Sequence, residues 1–404
     1  MTHSIRIACF AMMWDSHLSG TLELVHQLAK TPATVRIWTE PSFSPMARQF
    51  GFEFADLYRD RPLEQADNIS LLLPIRYVSF AATYADHLTE EVRSWAPQII
   101  IVEGFTLIGR LVAERLNLPW VLVNASHLIN DEDHRRIVQS EYPSLISQQC
   151  REAVKRLRED YGLANASPYS FITDPSPWLN VHLEPSEWVT PDQRRKAPHI
   201  VFFGSLNAAS LQQKRSSGRR PGKTAVYASF GTVMARYWPE ETFHALHSLA
   251  VAVNHFSGSR LTIGLGGVAM DPAKIAKLEQ LGANIINFAN QLDELANHDI
   301  FVTHHGLSST HEAIAQKIPM LSCPLVNDQP DLAALSQRFG LAIAVSADRS
   351  CVHVTPDADM FAQALTNALD RYDDMRKNLE TARNWELRTI EQRPLGAQKV
   401  LQLA

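Results

Sequence analysis

Residues 301–320 read FVTHHGLSSTHEAIAQKIPM. An apolar, β-branched run ends near Thr303, Gly306 makes a turn, and an amphipathic stretch follows before the next apolar run opens at Met320. That order predicts strand, turn, helix, strand, the repeating unit of a parallel sheet, because a parallel neighbour is reached only by a crossover. Ser309 and Glu312 stand at the spacing of a capping box. Capping alone does not call for His304 at the strand end or for the three hydroxyls of Ser308, Ser309 and Thr310. A turn that offers free N–H groups, hydroxyls and a helix dipole suits phosphate. Its position agrees, since ligands of open α/β sheets bind beyond the carboxyl ends of the strands.

The same alternation runs outward in both directions. Short apolar runs predict strands over 5–12, 34–39, 99–102, 120–123, 178–183 and 200–203, and over 225–230, 261–265, 284–288, 300–302, 320–323 and 341–345. Helical periodicity lies between them, as at 18–30, 107–116, 239–253 and 272–281. Near-continuous apolar strands fit sheets covered on both faces. The fold class is therefore α/β with parallel sheets.

The length of 404 residues suggests two domains. Residues 205–224, SLNAASLQQKRSSGRRPGKT, carry five basic residues and no acidic one, and read as a solvated, mobile linker. It divides the chain into a first domain over 1–204 and a second over 225–380. Residues 361–404 read as two helices, of which 381–404 is expected to pack back on the first domain. With 38 basic and 43 acidic residues the net charge is -5, which speaks against a general nucleic-acid face. No apolar run approaches the ~20 residues of a membrane span, and the N-terminus reads as a buried strand rather than a signal peptide. Cys9, Cys150, Cys323 and Cys351 are far apart, which fits a reducing cytoplasm. The sequence carries no signal of oligomeric state.

Several α/β chemistries drop out. The first strand is followed by Met13 to His17 with no glycine turn for a pyrophosphate. A GxGxxA pattern at 264–269 precedes Asp271-Pro272, which reads as N-cap and first residue of a helix, so its glycines fall in a loop ahead of that helix. No P-loop and no GxSxG elbow exists. His304, His305 and His311 lie close in sequence but lack a metal-ligand spacing, so no metal is expected.

Four blocks of the second half resemble, in order, the nucleotide-sugar glycosyltransferases of GT-B fold family 1, which include bacterial macrolide and plant flavonoid enzymes. YASFGT at 227–232 is similar to the family's VSFGT, and FANQLDEL at 288–295 to its base-binding block. Residues 303–312 are similar to THGGxNSTxE, and NDQP at 327–330 to ADQP. In the first half, PQIIIVE at 97–103 with Gly109 and Leu118-Pro119 is a fainter match. The chain departs from the pattern where His305 replaces a glycine, Asn290 a proline and Ser308 an asparagine.

The resemblance implies two Rossmann-like domains with parallel sheets facing each other across a cleft, and a UDP- or dTDP-sugar as co-substrate with no other cofactor. His304 is implied to face the α-phosphate, with Thr232, Ser308, Ser309 and Thr310 near the β-phosphate around Gly306. Glu312 is implied to take ribose hydroxyls, Gln291 and Phe288 the base, and Asp328 and Gln329 the sugar. The family's catalytic histidine falls on His17, and its orienting acid on Glu103, with Asp15 as a local alternative. A histidine near neutrality suits proton removal from an acceptor hydroxyl. The acceptor is expected on the first domain, with Met12, Met13, Trp14, Tyr77, Phe80, Asn124, His127, Asp131 and His134 as candidate lining for a small, apolar natural product. An epimerase or hydrolase of the same fold, and a sugar-nucleotide-binding regulator, are the rival readings.

Overall fold

The computed structural model describes residues 4–12, 15–66, 73–127, 147–168, 170, 174–196, 199–206, 211, 223–325, 328–346 and 356–404. They form two compact units. The first comprises residues 1–205 with 389–404, and the second 206–388.

The first unit is built on seven parallel strands: β1 (Arg6–Phe10), β2 (Thr34–Thr39), β3 (Glu53–Asp56), β4 (Ile99–Glu103), β5 (Trp120–Asn124), β6 (Leu179–His182) and β7 (Ile200–Phe202). Their order is β3-β2-β1-β4-β5-β6-β7. β1 and β4 lie side by side at the centre, Ile7 opposite Ile99 and Phe10 opposite Val102. Every residue of β4 is buried, and each such Ile or Val contributes roughly 1.5–3 kcal/mol. The edge strand β3 was not expected from the sequence. Its four residues, EFAD, are polar at both ends and none is fully buried, so they carry no apolar run.

The second unit has six parallel strands: β8 (Ala225–Ser229), β9 (Arg260–Gly264), β10 (Ala283–Ile286), β11 (Ile300–Thr303), β12 (Met320–Ser322) and β13 (Ala342–Ala344). Their order is β10-β9-β8-β11-β12-β13. The chain moves outward from β8 to β10, then returns to pair β11 against the other side of β8, with Thr303 opposite Ser229. The crevice beyond β8 and β11 is therefore a topological switch point, where open parallel sheets bind ligands. The helices Pro239–His255 and Ala358–Asp370 supply buried side chains to the core of this sheet.

Two expectations are corrected. Residues 205–224 are not wholly solvated, since Leu206 and Leu211 are buried, as their apolar side chains require; residues 207–210 and 212–222 lie outside the described residues. The C-terminal stretch forms three helices rather than two, Ala358–Asp370, Tyr372–Glu391 and Arg393–Leu401. Pro394 stands in the first turn of the last one, where its missing N–H costs nothing. That helix is fixed within the first unit by Arg393, only 2% exposed. Its guanidinium donates to the carbonyls of Phe203 at 2.7 Å and Gly204 at 2.9 Å and lies 3.5 Å from Glu23. Cys9, Cys150 and Cys323 are buried, and Cys351 lies outside the described residues.

Candidate functional site

The switch point of the second sheet is occupied by the turn after β11. His304 and His305 follow Thr303, and Gly306, with extended φ and ψ, is the N-cap of the helix Leu307–Gln316. Gly306 has no side chain with which to cap this helix. Its first backbone bond runs from Thr310 N to Gly306 O, so the opening N–H groups point along the axis without an intrahelical partner. The capping-box reading of Ser309 and Glu312 is thereby corrected. The helix starts earlier than that pattern implies, Ser309 lies inside it, and Glu312 turns elsewhere. Gln291, first residue of the helix Gln291–Asn297, donates from Nε2 to Ser309 Oγ at 2.9 Å and to Glu312 Oε2 at 2.6 Å.

His304 is 8% exposed. A Cβ on Gly306 would come within 2.6 Å of its Nε2, and one on Gly231 within 3.0 Å. Both glycines are thus required by the close approach of the imidazole, and Gly231 also adopts φ 68. Burial pushes the His304 pKa down to about 4, with the backbone of Ser229 opposing part of the shift. At neutral pH the ring is uncharged and can offer one N–H. Burial drives Glu312 the other way, up to about 7, against the hydrogen bond from Gln291 and the charge of His311.

Thr232 is exposed, one residue into the helix Gly231–Tyr237 that follows β8. Phe288, beyond β10, is 77% exposed. Between them runs a loop that sequence reasoning set aside. Asp271 caps the helix Pro272–Gln280 through Ala273 N at 2.8 Å, as expected, which leaves Gly266 and Gly267 in the loop ahead of it. A Cβ on Gly266 would meet Thr232, and one on Gly267 would meet Phe288. The signal for this wall was the glycine pattern itself. What placed it was the adjacency of β9 and β8, which spacing along the chain does not reveal.

Two residues expected to face the donor are turned inward. Thr310 is fully buried and its hydroxyl donates to the Gly306 carbonyl at 3.1 Å, because that side of the helix packs on the sheet. Gln329 is 5% exposed, and its carboxamide accepts from Leu325 N at 3.0 Å and reaches Met234 Sδ at 3.7 Å. Ser308, Ser309 and Asp328 are partly exposed, Asp328 at the N-cap of the helix Gln329–Arg338. The three neighbouring histidines go to three different places. His305 enters the core, and His311 pairs with Glu386 at 2.5 Å, both fully buried. Among the described residues no group of three or more His, Cys, Asp or Glu is placed to hold a metal ion.

In the first unit, Glu103 is the last residue of β4 and fully buried. One of its carboxylate oxygens accepts from Phe105 N at 3.3 Å. His17 lies in the helix Asp15–Ala29, and its side chain and that of Asp15 stand outside the described set. Met13, Trp14, Asp131 and His134 are likewise outside the described residues. Several expected acceptor contacts prove to be core. Phe80 is 1% exposed, packed between Tyr58 and Tyr84 at 5.3 and 5.2 Å. Met12 and Tyr77 are buried too. Their apolar surface is used within the first unit. His127 is also buried, with Nδ1 2.8 Å from Glu184, whose carboxylate lies 3.0 Å from His182 Nε2 as well. Sequence reasoning missed Glu184 and His182, which strand pairing of β5 and β6 brings to Asn124 and His127.

Comparison with known proteins agrees with this architecture. Residues 177–370 match the family described as UDP-glucoronosyl and UDP-glucosyl transferase. The uncharacterized UDP-glucosyltransferase YdhE of Bacillus subtilis (strain 168) is 27% identical over 65% of this chain and 62% of its own length. The NDP-glycosyltransferase YjiC of the same organism is 22% identical over 91% of each chain. Among solved structures, the glycotransferase of kitacinnamycin superposes with a TM-score of 0.73 at 19% identity, covering 98% of this chain and all of that one. The chain thus has the GT-B fold of the solved glycosyltransferase it superposes on, and its residues 177–370 carry a likeness to the UDP-glucoronosyl and UDP-glucosyl transferase family.

Proposed function

We propose that the chain transfers a sugar from a UDP- or dTDP-sugar to a hydroxyl of a small, apolar natural product, with inversion at the anomeric carbon. The observation that carries this reading is the uncapped start of the helix Leu307–Gln316 at the β8–β11 switch point, with neutral His304 set between Gly231 and Gly306. That arrangement presents N–H donors, which is what a diphosphate needs. Around it, Phe288 and Gln291 offer an open aromatic face and an amide for a base, Glu312 a carboxylate for ribose hydroxyls, and Asp328 a carboxylate for the sugar. The names of the matched relatives point to the same donor class, and the name of the kitacinnamycin enzyme suggests a natural-product acceptor.

In the proposed step an acceptor oxygen attacks the anomeric carbon while the bond from that carbon to the β-phosphate oxygen breaks. His17 takes the acceptor's proton, and Glu103 orients it. The electron pair goes to the departing diphosphate, stabilised by the helix N–H groups, His304, Ser308, Ser309 and Thr232. One displacement inverts the centre. His17→Ala should lower transfer by about 10²–10⁴-fold and leave UDP affinity within about twofold by calorimetry, since His17 belongs to the other unit. Full transfer by this variant would remove the base assignment. A mass-spectrometric screen of UDP- and dTDP-sugars against a panel of aglycones would identify both substrates, and turnover of donor with no aglycone product would favour an epimerase or hydrolase.

A further inference from the structure

His305 occupies a left-handed backbone position, φ 60, which glycine adopts without strain. Histidine costs more there, and the contacts of its ring show what offsets the cost. The residue is fully buried. Thr310 Oγ1 gives its proton to the Gly306 carbonyl at 3.1 Å, and Ser336 Oγ gives its own to the Leu332 carbonyl at 2.9 Å. Both oxygens are left as acceptors, and both face His305 Nδ1, at 3.2 and 3.4 Å. Nδ1 therefore carries the hydrogen. Burial keeps the ring neutral, with its pKa pushed down to about 3, so Nε2 is bare and accepts from Ser322 Oγ at 2.7 Å. Both ring nitrogens are satisfied, as a buried polar group requires.

These partners belong to three elements. Thr310 lies on the helix whose start faces the expected diphosphate. Ser322 is the last residue of β12, from which the chain runs to Asp328. Ser336 lies on the helix that Asp328 caps. We propose that His305 is a positioning residue that fixes the distance between the diphosphate turn and the Asp328 loop, so that it governs binding of the donor's sugar rather than its nucleotide. This rests on the donor reading above.

Calorimetry with UDP and with UDP-glucose separates the two parts of the donor. Glycine suits φ 60, so His305→Gly removes the ring without straining the backbone. UDP affinity should stay within about twofold, while UDP-glucose should bind about tenfold more weakly, or about 1.4 kcal/mol, the size of one lost hydrogen bond. His305→Asn, which tolerates the left-handed region and keeps an N–H donor, should recover part of the loss. Ser322→Ala, a milder change, should act in the same direction. Equal weakening of both ligands, or no change in either, overturns the proposal, because a purely structural role has no reason to spare the nucleotide. If the wild-type protein prefers dTDP, the same comparison is made with dTDP and dTDP-glucose; a wild-type protein that binds none of the four overturns the donor reading and this proposal with it.

Discussion

Glu312 and His304 are shifted in opposite senses by the same cause. Burial disfavours whichever form is charged, so the carboxyl rises to about 7 and the imidazole falls to about 4. For His304, an unfolded chain takes up its proton near 6.5 and the folded one near 4. Its contribution to stability is full above about 6.5 and is lost as pH falls through that window. For Glu312 the folded protein still holds a proton between about 4.5 and 7, where the unfolded chain has released it. Its contribution is full below about 4.5 and is lost as pH rises to about 7. The same titration acts on binding in the proposed role. If the ionised carboxylate accepts from ribose hydroxyls, affinity for UDP-glucose should rise roughly tenfold from pH 6 to pH 8. Glu312→Gln should flatten that rise. A wild-type profile as flat as the variant's would remove Glu312 from the binding site.

The helix Leu307–Gln316 has one end open and its other side fixed. The open end results from Gly306 serving as N-cap, which leaves the first N–H groups uncapped. Behind it, His311 Nδ1 meets Glu386 of the helix Tyr372–Glu391 at 2.5 Å, and neither residue has exposed surface. A buried pair is costly to break and cheap to replace whole. Glu386→Ala should therefore destabilise the protein by about 3–5 kcal/mol in urea denaturation. His311→Leu combined with Glu386→Leu should recover most of that loss, since apolar groups of similar size leave no buried polar partner unsatisfied. A double variant no better than the single one would mean that the pair fixes the helix in a way that packing does not replace.

At the scale of the whole chain, each unit closes its own sheet, and the last helix belongs to the first unit although it follows the second in sequence. Arg393 makes that connection through Phe203, Gly204 and Glu23, all in the first unit. Arg393→Ala strips two buried carbonyls of their donor and should cost about 3 kcal/mol, read as a lowered melting temperature. UDP affinity should stay within about twofold, because the residues proposed to hold UDP lie within 206–388. A parallel loss of UDP affinity would show that the second unit depends on this anchor.

The sequence by itself determined the parallel α/β architecture and the position of the strand, turn and helix at 301–316 that are proposed to hold phosphate. Apolar runs such as IIIV at 99–102 and FVT at 301–303 are local signals, and so is a glycine between a strand and a helix. Its resemblance to a known family, carried by four blocks, implied that Thr232, Phe288, Gln291, His304 and Glu312 form one group. What it could not decide was direction. Ser309 and Glu312 fit a capping box until the helix start moved to Gly306. Thr310 and Gln329 have the right chemistry for a ligand, yet their side chains serve the core. The glycines at 266 and 267 became part of the site only when β9 paired with β8. His305 looked like an awkward substitute for glycine, and its three hydroxyl partners lie 5, 17 and 31 residues away. Periodicity is written in neighbouring residues, whereas the facing of a side chain and the partner that satisfies it depend on groups brought together only when the sheet closes.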